Sequence, residues 1–196
     1  MNTLAALPLG RAEGRLSLLH SGMPEVPGVS PNDPAVSVMT DFTKQPIFSI
    51  RGDAAIDQAL LYMKAVGVRF LFVLDGENRL AGLVTSTDIQ GEKPLRYLQS
   101  VDCTLASCSR EDVLVRHVMI PVEQWEVSDY SDVERARVSH VVESFRVAGR
   151  RHLVVTENGM VRGIFSATRV EQALGIQLDI VRTARSFAEI ESVLMR

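Results

Sequence analysis

Residues 82–88 of the sequence, GLVTSTD, join three hydroxyl side chains and one carboxylate to the end of an apolar run. The apolar residues 82–84 are typical of a buried strand, and the residues after them suit the first turn of a helix. Two kinds of chemistry fit this composition. Asp88 or Thr87 could cap the helix. Alternatively, Asp88 could bind a ribose, because a carboxylate accepts protons from both adjacent sugar hydroxyls.

The two threonines of this segment extend the second interpretation. Thr85 and Thr87 are two residues apart, so their side chains point to the same side if the segment is still extended. Their hydroxyls can then donate to phosphate oxygens beside a ribose held by Asp88. The residue types alone leave the cap and the sugar site equally open.

Composition narrows the class of protein. The 196 residues carry a net charge of −3 and no run of Lys and Arg, which predicts no nucleic-acid partner. No apolar run approaches the ~20 residues of a membrane span. Cys103 and Cys108 have no metal or redox spacing, so we expect two unpaired thiols and a cytoplasmic protein. The four histidines are scattered, and no nucleophile, metal or phosphate-loop motif is present, which predicts a non-enzyme without a required cofactor.

An internal repeat organises most of the chain. Met39 matches Met119 at an offset of 80, Gly67 matches Gly149 at 82, and Gly82 matches Gly163 at 81. These offsets differ by one or two residues, and the differences fall in loops, where insertions are tolerated. We therefore expect an N-terminal arm at 1–35, a first repeat at 36–100, a connector with the second repeat at 101–175, and a tail at 176–196. Two copies packed on a pseudo-two-fold axis are the simplest account.

Each repeat predicts one amphipathic helix. In the first, Asp53 can cap a helix that ends at Gly67, and in the second, Ser131 with Glu134 forms a capping box for a helix that ends at Gly149. Both helices have apolar residues at helical spacing: Ile56, Ala59, Leu60 and Met63 in the first, and Val138, Val141, Val142 and Phe145 in the second. The tail contains SFAE, another capping box, which predicts a last helix.

Two apolar runs joined by a turn follow each helix. FLFVL, DGEN and LAGLV form this pattern in the first repeat, and HLVV, ENG and VRGIF form it in the second. Such a pattern predicts a β-hairpin. Each unit is therefore strand, helix, hairpin and closing helix, which makes the fold class α+β.

This order of elements, twice over, resembles a tandem pair of CBS domains, the module named after cystathionine beta-synthase. GVRFLFVLDGENRLAGLVTSTDI is similar to the second-half signature of that family, and VMT and VMIP resemble its repeat-opening segments. GEKP and RGIFSATRV are similar to segments of small stand-alone bacterial CBS-pair proteins. The resemblance implies clefts between the repeats for adenosine-containing ligands (AMP, ADP, ATP or S-adenosylmethionine), a homodimer, and regulation of a partner protein whose identity the sequence does not give. It also favours binding over capping at Asp88.

The second repeat departs from the pattern at one position. It contains GIFSATR, in which Ser166 and Thr168 are kept but Arg169 stands where Asp88 stood. A guanidinium has five donors and no acceptor, so it cannot take protons from ribose hydroxyls, although it could attract a phosphate. The sequence therefore predicts two unequal clefts, one competent for a nucleoside and one altered or empty.

Basic residues at the strand starts complete the candidate sites. The resemblance implies that Arg69 serves the intact site, beside Thr85, Thr87 and Asp88. Arg151 and His152 would serve the altered site, beside Ser166, Thr168 and Arg169. Solvated charges at strand edges are the alternative for each. The adenine is expected against residues 47–50 or against those after Pro121.

Two functions remain open. The first is a regulatory module that senses an adenosine-containing ligand in the one intact cleft. The second is a dimerisation or interaction module that binds no ligand and whose nucleotide site is vestigial.

Overall fold

The computed structural model describes residues 28–100, 103 and 108–180. The N-terminal arm before residue 28 and the predicted SFAE helix of the tail lie outside the described residues. The first half contains β1 (Thr40–Asp41), β2 (Ser49–Arg51), α1 (Ile56–Val66), β3 (Phe70–Leu74), β4 (Leu80–Thr85), α2 (Ser86–Gln90) and α3 (Lys93–Leu98). The second contains α4 (Val115–Val118), β5 (Ile120–Pro121), β6 (Val127–Asp129), α5 (Tyr130–Arg135), α6 (Val138–Ala148), β7 (His152–Glu157), β8 (Met160–Ser166) and α7 (Ala167–Leu174).

The strands form two four-stranded sheets that exchange their opening strands. One sheet has the order β2-β3-β4-β5, and the other has the order β1-β8-β7-β6. Thus β1, from the start of the chain, pairs antiparallel with β8, while β5, from the middle of the chain, pairs antiparallel with β4. The exchange is reciprocal, as a two-fold relation between like units requires. The predicted α+β fold of two repeats is confirmed.

The glycines of the repeat are explained by this exchange. A Cβ on Gly82 would lie 2.6 Å from the carbonyl oxygen of Ile120 in β5, and a Cβ on Gly163 would lie 2.7 Å from that of Thr40 in β1. Any larger residue would push the exchanged strand away. A glycine is therefore required at positions 82 and 163, so that each sheet can pair with a strand from the other half.

Both predicted amphipathic helices form, and each buries its apolar stripe. Ile56, Ala59 and Met63 are buried on α1, and both helices end at a glycine with positive φ, 73° at Gly67 and 59° at Gly149. The predicted cap at Asp53 is wrong. The helix begins at Ile56, whose N–H donates to the carbonyl of Val113 in the connector, so no side chain is needed there.

The predicted capping box of the second repeat is also wrong. Ser131 and Glu134 belong to the separate short helix α5, and the side chain of Asp129 caps that helix by accepting from the Ser131 N–H. The main helix α6 starts only at Val138, where Nδ1 of His140 accepts from the N–H of Arg137. Its stripe of Val138, Val141 and Phe145 is buried as predicted.

The two hairpins form, and their outer faces meet. The turn between β7 and β8 holds Asn158 at φ 51° and Gly159 at φ 76°, the two positive values of a type I′ turn. Each half has its own core cluster, and a third cluster of buried residues joins the two sheets: Phe72, Leu83, Val154 and Ile164. The two repeats therefore share an apolar interface at the hairpins.

Two further expectations concern the connector and the membrane. The structure pairs Cys103 with Cys108 in a disulfide, so the expectation of two unpaired thiols is wrong for this connector. The N–H of Cys108 donates to the carbonyl of Cys103 at 3.1 Å, and the two Cα atoms are 5.2 Å apart, which brings the two side chains together. None of the helices in the described part of the chain has the length and hydropathy to span a bilayer.

Candidate functional site

Two clefts lie between the repeats, one beside each helix that follows a hairpin. The first cleft, beside α2, has a volume of about 250 Å³, close to the lower end for small-molecule sites. The second cleft, beside α7, measures about 310 Å³. Four residues line both clefts: Arg69, His152, Ser166 and Thr168. The clefts are therefore neighbours with a common wall.

All four residues predicted for the intact site line the first cleft: Arg69, Thr85, Thr87 and Asp88. The start of α2 positions three of them. Thr85 is the N-cap, and its hydroxyl accepts the N–H of Asp88 at 3.1 Å. In return, Oδ2 of Asp88 accepts the Thr85 N–H at 2.9 Å and the Thr85 hydroxyl at 2.7 Å. Asp88 is thus both the N3 partner in the capping box of α2 and the acid that lines the cleft.

The other oxygen of Asp88 has a partner that the sequence analysis did not find. Nζ of Lys93, the first residue of α3, lies 2.7 Å from Oδ1 of Asp88 and donates to the carbonyl of Val118 at 2.9 Å. Lys93 lies five residues after Asp88, but the chain turns at Gly91, so helical spacing gives no sign of the pair. The carboxylate is 11% exposed and the lysine 40% exposed.

An aromatic side chain forms one wall of the first cleft. Trp125, which follows the short turn after Pro121, donates its Nε1–H to the carbonyl of Ile120 at 3.1 Å. Its ring centroid is 6.1 Å from that of Phe72, so the indole is fixed by a hydrogen bond and by packing. Of the two segments expected to hold an adenine, the residues after Pro121 lie at the first cleft. Residues 47–50 contribute Phe48 to the second.

The arginines are distributed differently from our expectation. Arg151, expected at the altered site, lines the first cleft together with Arg69 and with Arg150, which the sequence analysis did not single out. The guanidinium of Arg151 also forms a 2.7 Å ion pair with Glu171 of α7. The backbone of Arg151 lies beside its own closing helix, since its carbonyl accepts the N–H of Ala167 at the start of α7, while the residue also lines the first cleft. Three guanidinium groups therefore border the cleft that contains Asp88.

His152 lies on the wall between the clefts. Its ring centroid is 5.7 Å from that of Phe70, the residue that occupies the equivalent place in the first repeat. Burial lowers the pKa of His152 to about 4, against the opposing effect of the Asp88 charge, and Arg151 lowers this pKa further. The imidazole is therefore neutral at pH 7 and can act there as one donor and one acceptor.

The second cleft differs in chemistry. Ser166 is the N-cap of α7, but its side chain makes no cap hydrogen bond. Thr168 and Arg169 line this cleft as predicted, and Arg169 is exposed. No carboxylate occurs among the described residues that line it. This cleft therefore offers donors but no acidic acceptor for a sugar.

Comparison with known proteins agrees with this architecture. Residues 35–92 match the family model of the CBS domain. No curated protein sequence matches the chain. An uncharacterized conserved protein from Pyrococcus horikoshii has a similar structure, with 17% sequence identity, a TM-score of 0.52, and coverage of 79% of this chain and 99% of that one.

Two other solved structures are similar. The CBS-domain-containing protein ATU1752 from Agrobacterium tumefaciens is 16% identical, with a TM-score of 0.51, over 80% of this chain and 98% of that one. CBSX2 from Arabidopsis thaliana, in complex with AMP, is 20% identical over 72% of this chain and 95% of that one, and its TM-score of 0.49 supports no inference about a shared ligand. Residues 35–92 thus match the CBS domain model, and the chain has the fold of a tandem CBS pair.

Proposed function

We propose that this chain is a regulatory CBS-pair module that binds an adenine nucleotide in the first cleft. One observation carries the proposal: a single cleft collects an acidic acceptor, an aromatic wall and several guanidinium groups. These are the groups that a ribose, an adenine and a phosphate need, respectively. The nucleotide would change how the module presents itself to a partner protein, which requires different affinities for two states.

The charges around the first cleft favour a phosphate-bearing ligand over S-adenosylmethionine. Arg69, Arg150 and Arg151 border the cleft, and Lys93 neutralises Asp88 within it. Among the described residues, neither Arg69 nor Arg150 forms an ion pair, so both are available to an anion. Glu126 also lines the cleft, so its lining carries three arginines against two carboxylates. This excess of positive charge attracts a phosphate and disfavours a sulfonium cation. We therefore narrow the ligand to AMP, ADP or ATP.

Titration calorimetry with four ligands tests the proposal. AMP, ADP and ATP should each give a saturable heat, and S-adenosylmethionine should bind at least about tenfold more weakly, because its charge has the wrong sign. Trp125 is the single tryptophan of the chain and lines the cleft, so its fluorescence should change with the same midpoint. The absence of heat and of any fluorescence change with all three nucleotides at millimolar concentration would contradict the proposal.

A second candidate function is an interaction module without a ligand. The cap geometry favours it, since Asp88 already has structural partners on both oxygens. Large apolar side chains at the surface also favour it: Leu61 on α1 is 67% exposed and Leu95 on α3 is 57% exposed. A homodimer that forms at micromolar concentration without nucleotide, and that is lost in a Leu61→Glu variant, would support this second function if the titrations give no heat.

A further inference from the structure

The acid of the first cleft is not free in the structure. Oδ2 of Asp88 accepts both the N–H and the hydroxyl of Thr85, which fills its two lone pairs. A ribose diol therefore has to use Oδ1. The ammonium of Lys93 already lies 2.7 Å from that oxygen.

Lys93 is placed to leave Asp88 without disrupting the fold. Its side chain is 40% exposed, so its ammonium can move into water, and its second contact is to the carbonyl of Val118 rather than to another charge. The exposed lysine loses little when it leaves the pair, because water replaces its partner. Losing the partner costs more free energy for Asp88 than for Lys93, because the carboxylate is only 11% exposed.

The second repeat lacks both members of the pair. At the offset of 81 that relates Asp88 to Arg169, position 93 corresponds to Leu174. The acid and the lysine that covers it therefore occur together in the first repeat and are absent together from the second.

We infer that Lys93 is an internal competitor for the sugar site, which a ribose must displace from Asp88 before both of its hydroxyls can bind. This inference rests on the proposed nucleotide function and adds to it a residue that sets affinity and selectivity. Lys93 lowers the affinity for a ribose diol and keeps the buried carboxylate paired while the cleft is without nucleotide. A 2′-deoxyribose gains less binding free energy from displacing the lysine, because it donates only one hydrogen bond to Oδ1 where a ribose donates two.

The inference is tested by the ratio of the dissociation constants for 2′-deoxy-AMP and AMP. The two ligands have the same charge, so the ratio cancels the general loss of attraction when a cation is removed. In a Lys93→Met variant we expect the ratio to rise by about tenfold, since a released charged acceptor makes a stronger bond to the 2′-hydroxyl. Lys93→Gln, which keeps a donor for the Val118 carbonyl, should show the same direction and serves if the Met variant folds poorly.

Arg96→Gln is the matched control. Arg96 lies on the same helix, is 76% exposed and pairs with Glu92, so its loss removes one positive charge without touching Asp88. It should leave the ratio unchanged. If the wild type binds AMP but the Lys93 variants keep the wild-type ratio or lower it, the inference is overturned and the nucleotide function stands. If neither the wild type nor any variant binds AMP, the proposed function fails and the inference fails with it.

Discussion

The two halves of the molecule use the same backbone at the clefts and different side chains. The N–H of Ser86, at the start of α2, donates to the carbonyl of Arg69 at 2.9 Å, and the N–H of Ala167, at the start of α7, donates to that of Arg151 at 2.9 Å. Both halves also have an opening strand that pairs with the other half, and a glycine that this strand packs against. In both, the long helix ends at a glycine with positive φ.

The two halves differ at positions that face the clefts. Asp88 is replaced by Arg169, and Phe70 by His152. The shared glycines and opening strands close the sheets, and these two replacements lie at the clefts. The comparison indicates that the two halves share a scaffold and differ in the chemistry of their clefts.

The strand exchange should be equally costly to disturb in both halves. Gly82→Ala and Gly163→Ala should each lower the free energy of unfolding by about 3 kcal/mol, because the added methyl meets a backbone carbonyl that cannot move alone. Chemical denaturation measures this. Gly76→Ala is the control, since a Cβ there meets no heavy atom within 4 Å. A Gly82→Ala variant as stable as the control would show that the exchanged strand is not tightly packed.

His152 should make the free energy of unfolding depend on pH. Its pKa is about 4 in the folded protein and about 6.5 in the unfolded chain, so between these values the unfolded chain binds more protons. The free energy of unfolding should therefore fall as the pH drops, by about 2 kcal/mol between pH 7 and pH 5. His117, whose pKa burial also lowers, adds a contribution of the same sign.

Replacing His152 with the residue of the other half isolates its contribution. A His152→Phe variant should lose most of that pH dependence, whatever its absolute stability, and thermal unfolding at several pH values would measure it. The window above pH 5 avoids the titration of the carboxylates. A slope in the variant as steep as that of the wild type would place the sensitivity elsewhere.

The N-cap side chains of α2 and α7 should contribute differently to the free energy of unfolding. Thr85→Val removes a hydroxyl that makes two bonds to Asp88 and should cost about 1 kcal/mol of unfolding free energy. Ser166→Ala removes a hydroxyl that makes no cap bond and should cost less than about 0.5 kcal/mol. Equal costs in the denaturation curves would mean that the two starts are held in the same way.

Much of this architecture could be predicted from the sequence because it depends on local patterns. Offsets of 80 to 82, apolar stripes and the glycines that end helices identify two like units, and the structure confirms them. The exchange of β1 and β5 could not be predicted, since strands of two residues leave no pattern. The cap at Asp53 failed because a carbonyl from a distant segment, that of Val113, satisfies the first N–H of the helix instead.

The site was predicted in part for the same reason. Thr85 and Asp88 lie three residues apart in one motif, so the sequence indicates them, and the segment after Pro121 brings an aromatic wall to the cleft. The distribution of arginines between the clefts depends on the wall that the two clefts share, and the chain order gives no sign of it. Lys93 contacts Asp88 only because the chain turns at Gly91.

Titration calorimetry of AMP against a matched pair of variants tests the central claim most directly. Asp88→Asn keeps an amide oxygen for the Thr85 N–H but loses the charged acceptor, so it should weaken binding by about ten- to hundredfold. Arg169→Gln should bind one AMP per chain with the affinity of the wild type, because the second cleft lacks an acid for the sugar. Loss of binding in Arg169→Gln with full binding in Asp88→Asn would contradict the assignment of the nucleotide to the first cleft.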